Sequence, residues 1–150
     1  MQKDMITGIS IPIIYATGQA VFFSQKIEQK FKRIVEIQHL MGKSNKFEIE
    51  KIKKQTLNAL IKEILSYGIL TDKGKKTARE LQYNRNLVCH EIFLDCGPLI
   101  GEEEKDDEVI LRRIQEIVFD LQSFYYTIWD VWKHYENEYE AKQMLKDFDE

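Results

Sequence analysis

Apolar positions recur along the chain at intervals of three and four, the spacing of one helix face. Ile27, Phe31, Ile34, Val35 and Met41 form one such stripe, which predicts a first helix from about Ala16 to Met41, stopped by Gly42. A short polar connection follows. Asn45 and Glu48 have the spacing of a capping box, so a second helix is expected to start there, carry Ile49, Ile52, Leu57, Leu60, Ile61, Ile64 and Leu65, and end at Gly68. Thr71 can cap a third helix from about Asp72 to Asp95, broken by Gly97-Pro98, with Asp72 favouring the helix dipole. The fourth and longest is expected over about Glu104 to Lys146. Its first apolar row is Ile110, Ile114, Ile117, Leu121, Phe124, Ile128, Val131 and Tyr135. A second row, Leu111, Val118, Tyr125, Trp132 and Tyr139, repeats every seven residues. The combined face is wide. Either the helix lies centrally and buries both rows itself, or the surplus meets a partner helix, most simply in a homodimer.

Four long helices with short connections predict an all-α fold, an antiparallel four-helix bundle. Residues 1–15 read as a short N-terminal extension and residues 16–150 as a single helical domain. The 150 residues suffice for one core without metal or disulfide staples. Only two prolines and seven glycines agree with long helices.

Charge adds an asymmetry. The net charge is −3, yet residues 1–85 carry 16 Lys or Arg against 8 Asp or Glu, and residues 86–150 carry 6 against 17. The whole chain is no generic polyanion binder, but a local basic surface in the first half is compatible with it. The acidic run at 102–108 suits the start of the fourth helix as well as any functional use. Cys89 and Cys96, seven apart on one helix, would sit roughly 10 Å apart along its axis, too far for a disulfide. Two free thiols point to the cytoplasm. Pro12, Gly8 and Gly18 interrupt the apolar stretch of residues 5–23, and Asp4 follows Lys3, so neither a membrane span nor an export signal is expected.

Most familiar chemical motifs are missing. Thr71-Asp72-Lys73-Gly74-Lys75-Lys76-Thr77 lacks the spacing of a phosphate-binding loop, and His39, His90 and His134 form no zinc pattern. One segment stands apart: Arg85-Asn86-Leu87-Val88-Cys89-His90. It resembles the Arg-x4-6-His signature of the HEPN superfamily, with a polar Asn directly after the Arg as that family prefers. The motif falls late in the third of four expected helices, and the resemblance covers about residues 16–146.

The resemblance implies a metal-independent endoribonuclease with no cofactor. In such a reaction the ribose 2′-hydroxyl attacks the adjacent phosphorus. His90 is suited to the proton transfers because an imidazole titrates near neutrality. Arg85 is suited to the phosphate because its planar fork stays charged. Asn86, four residues before His90, shares its face of an ideal helix and can orient it. Lys75 and Arg79 lie on the same stripe and could track an RNA backbone, and Tyr83 could stack on a base. Arg85 is about 140° from His90 on an ideal helix and lies near the Leu81 and Val88 stripe. A charge there must be paired, or must reach across an interface.

HEPN ribonucleases typically build a composite cleft from two domains. The expected partners are therefore a second copy, docked through the third and fourth helices, an RNA substrate, and an antitoxin or regulatory protein that restrains a toxin or phage-defence effector. Two other readings stand beside this one. Arg85 could bridge to an acidic residue of another helix while His90 is a surface or hydrogen-bonded histidine. Alternatively, the same fold could be a catalytically inactive module for dimerisation and partner binding.

Overall fold

The computed structural model describes residues 1–43, 48–88 and 107–149. Among them the chain is all-α, with no strand. The helices are α1 (Ile11–Leu40), α2 (Ile49–Ile52), α3 (Leu57–Ser66), α4 (Asp72–Asn86) and α5 (Asp107–Asp149). No helix of the described residues is long and apolar enough to cross a membrane.

α1 begins at Ile11 rather than near Ala16. Pro12 lies in its first turn, where no backbone N–H is required, so the proline that reads as an interruption is compatible with a helix start. Ile13, Ala16 and Ala20 are buried in the common core. Residues 11–15 of the expected extension therefore belong to α1. Residues 1–10 form a turn tied by the Lys3–Ser10 bridge, with Gly8 at φ 70°. The Asp4 carboxylate accepts from the Thr7 amide at 2.8 Å, the Thr7 hydroxyl at 2.9 Å and the Ile6 amide at 3.1 Å. These bonds, the Thr7 amide foremost, hold the carboxyl below its ordinary pKa.

The expected second helix is two helices. Ile52 to Leu57 is a step of five, which breaks the three-and-four rhythm. Thr56 stands in extended backbone inside that gap, and its side chain accepts from Ala59 N at 3.2 Å, so it caps a new helix instead of continuing the old one. Asn45 lies outside the described residues.

α1 and α5 make the principal packing layer. Their contacts advance together: Phe23 meets Tyr125, Lys30 meets Trp132, Arg33 meets Glu136 and Lys43 meets Glu138. The two helices thus run side by side in the same direction, and the expectation of antiparallel neighbours fails for this pair. Phe31, fully buried, meets Phe124 edge-on with centroids 6.1 Å apart. Gln38 Nε2 donates to the Tyr135 hydroxyl at 2.8 Å, both buried, a polar bond that fixes register between the helices. Burial pushes the Tyr135 phenol up from its ordinary pKa.

Both apolar rows of α5 find cover. Most of the first is buried. In the second, Tyr125, Trp132 and Tyr139 are half-buried against α1. Their width is used within the chain, so this face no longer argues for a partner helix. Asp107–Asp149 spans about 65 Å against about 45 Å for α1. Met144, Leu145 and Phe148, near its C-terminal end, are exposed.

Candidate functional site

α4 carries the described part of the motif. The Thr71 side chain caps it by accepting from Gly74 N at 3.1 Å, and Asp72 sits in the first turn, where a carboxylate suits the helix dipole. Gly74, Ala78 and Leu81 are its buried face. Ile69, just before the helix, shares a surface depression with Lys43 and His134 beside the C-terminal end of α1, whereas Arg85 in the last turn reaches Glu28. α4 therefore runs back against α1.

The unbroken helix from Asp72 to Asn86 sets Lys75, Arg79, Tyr83 and Asn86 along one stripe. Arg79 and Tyr83 are exposed, and Lys75 and Asn86 half-buried. Arg85 leaves the opposite side, close to the core-facing line of Ala78 and Leu81. Its Nη1 donates to Glu28 Oε2 at 3.1 Å, and Glu28 also pairs with Lys32 at 3.6 Å. A charge at this position has to be paired or to cross an interface; within the chain it is paired. About a third of the Arg85 side chain stays accessible.

After Asn86 the backbone passes into a wider, π-type turn at the buried residues Leu87 and Val88. The ideal-helix angle between Arg85 and His90 assumes an unbroken α-helix, whereas the α-helix ends at Asn86. His90, Cys89, Cys96 and residues 102–106 of the acidic run lie outside the described residues, so of the three residues expected to carry the chemistry the structure describes Arg85 and Asn86.

A second polar assembly, which the sequence pattern does not announce, lies along the seam of α1 and α5. Arg33 donates through Nε and Nη2 to the two oxygens of Glu136, the latter at 3.1 Å, and through Nη1 to Glu36 at 2.9 Å. Trp132 Nε1 adds a bond to Glu136 at 3.1 Å. The Arg33 bond holds the Glu136 carboxyl below its ordinary pKa, and the same bond drives the Arg33 guanidinium upward. Alongside lies a row of cations on rings. Lys26 sits over Phe22, Lys30 over Trp132 with 3.4 Å from Nζ to the ring centroid, and Lys133 over Trp129. The sequence signal is Lys26, Lys30 and Arg33 at helical spacing. It points nowhere until the direction of α5 is known.

No protein-family model matches this chain, and neither a curated protein nor a solved structure matches it.

Proposed function

We propose that the chain is a metal-independent endoribonuclease of the HEPN kind that acts as a homodimer. In this reading α1, α3, α4 and α5 are the four helices of the HEPN-like bundle, and copies meet through α4 and α5 to form a composite cleft. The supporting observation is the closing turn of α4. There Arg85 and Asn86 are both partly accessible, and a single carboxylate on α1 steadies the arginine while its other donors face no partner among the described residues. Arg85 then binds the scissile phosphate and stabilises the phosphorane charge. His90 takes the 2′ proton or protonates the leaving 5′ oxygen, with its counterpart across the dimer serving the other step. Asn86 orients the imidazole. Lys75 and Arg79 track the backbone and Tyr83 stacks on a base. The products carry a 2′,3′-cyclic phosphate and a 5′-hydroxyl. The biological setting is a cytoplasmic toxin or phage-defence effector held in check by an antitoxin or regulatory protein.

The test is incubation of wild type, His90→Ala and Arg85→Gln with mixed cellular RNA in EDTA, followed by mapping of new ends. Cleavage by wild type alone, with cyclic-phosphate ends, is expected. Equal cleavage by folded His90→Ala overturns the assignment. A second reading, a catalytically inactive dimerisation and partner-binding module, is favoured by the Arg85–Glu28 pair, which gives the arginine a purely structural task. It requires a stable dimer and no RNA turnover by wild type.

A further inference from the structure

The row of cations on the α1–α5 seam has no role in the cleavage proposed above. Followed from one end to the other, it is continuous. Lys26 rests over Phe22, Lys26 and Lys30 are close enough for their charges to oppose each other, Lys30 rests over Trp132, Trp132 meets Trp129 at 5.9 Å, and Lys133 rests over Trp129. None of the three lysines has an ion pair among the described residues. The nearby carboxylate, Glu136, is taken by Arg33 and the Trp132 indole. α1 carries no acidic residue from Ile11 to Ile27. No ion pair thus neutralises these lysines among the described residues; at Lys30 partial burial and the charge of Lys26 push the ammonium below its ordinary pKa, and the charge of Glu136 offsets only part of that.

We infer that this seam is a binding surface for single-stranded nucleic acid, separate from the Arg85 region and independent of whether the protein cleaves RNA. Charge complementarity selects the occupant. A second copy presenting the same face would bring three more lysines without an ion pair of their own to the contact, so an isologous contact is disfavoured. A strand supplies what the seam lacks, phosphates for three fixed cations. It also supplies planar bases: a lysine that swings from ring to phosphate uncovers an aromatic face for stacking. Phe22 and Tyr126, both exposed, end the chain of ring contacts that runs through Phe23 and Tyr125, so the aromatic surface continues along the seam.

The probe is a fluorescein-labelled single-stranded DNA of about 20 nucleotides, which lacks the 2′-hydroxyl and is inert to the proposed cleavage. Trp129 and Trp132 are the only tryptophans in the chain, so their fluorescence reports on the seam directly. Wild type is expected to bind, quench this emission and lose affinity with salt. The triple variant Lys26→Gln/Lys30→Gln/Lys133→Gln should bind at least about tenfold more weakly, with a salt slope lower by about 2, from about 0.7 for each phosphate no longer neutralised. Trp129→Leu should weaken binding at least about fivefold while keeping the slope. Lys62→Gln, at an exposed lysine of α3 outside both surfaces, should leave binding of this probe unchanged. Absence of quenching and of an anisotropy change at low salt overturns the inference. So does an unchanged slope in the folded triple variant, or binding of wild type to anionic phospholipid vesicles that the oligonucleotide does not compete away. Failure of RNA cleavage with retained DNA binding would overturn the nuclease reading alone.

Discussion

Arg33 and Arg85 each leave α1 or α4 to meet a glutamate on another helix, and the two are held in opposite ways. Arg33 engages both oxygens of Glu136 and a third carboxylate oxygen on Glu36, beside an indole donor. Arg85 makes one bond to Glu28, which it shares with Lys32. Their side chains are similarly accessible, 32% and 34%. Exposure therefore does not separate an arginine committed to architecture from one with donors to spare; the number of carboxylate oxygens around it does. On the seam three carboxylate oxygens hold the arginine, whereas at the end of α4 one does.

The contrast can be broken at the core beneath the seam. Phe31→Ala, at a fully buried ring against Phe124, should cost about 3–5 kcal/mol in urea unfolding. A loss below about 1 kcal/mol would mean that the α1–α5 layer does not carry the fold. Next in size is activity. If the nuclease reading holds, Arg85→Gln should lower cleavage on the order of a hundredfold, as loss of a charge-stabilising donor does, with little change in unfolding midpoint. Arg33→Gln should do the reverse. It should lose about 1–3 kcal/mol of stability by leaving Glu136 without its main partner, and keep its activity per folded molecule.

Acid sharpens the same contrast. Because Glu136 is held below its ordinary pKa, the folded state takes up that proton at lower pH than the unfolded chain does. The stabilisation is complete above the unfolded carboxylate value, about 4.3, and is lost as pH falls through the lower folded value. The stability gap between wild type and Glu136→Gln should be full at about pH 6–7 and close in acid; a gap independent of pH would remove the ion pair as its cause. The smallest effect belongs to Lys43, whose exposed pair with Glu138 lies 2.9 Å apart. Lys43→Gln should shift stability by no more than about 0.5 kcal/mol by the same measurement.

Periodicity is what the sequence makes legible. The stripe of α1, the long double row of α5 and the helix from Asp72 follow from apolar spacing, and the placing of Arg85 near Leu81 and Val88 follows from helical angles. Punctuation misleads at two places. Pro12 reads as an interruption although a first helical turn tolerates it, and the five-residue step from Ile52 to Leu57 hides inside a longer apolar run although Thr56 stands ready to cap. The parallel course of α1 and α5 is not legible because periodicity fixes which face is apolar and says nothing about direction. The wider turn at Leu87–Val88 is equally hidden, since no residue type encodes it. The angle between Arg85 and His90 rests on a straightness that the pattern cannot test.

The shared direction of α1 and α5 has a mechanical consequence. α1 starts at one pole of the molecule and α5 ends at the other. Pulled apart at the start of α1 and the end of α5, the two helices would be loaded in shear along their seam, so that Arg33–Glu136, Gln38–Tyr135 and the ring contacts would resist together rather than unzip in turn.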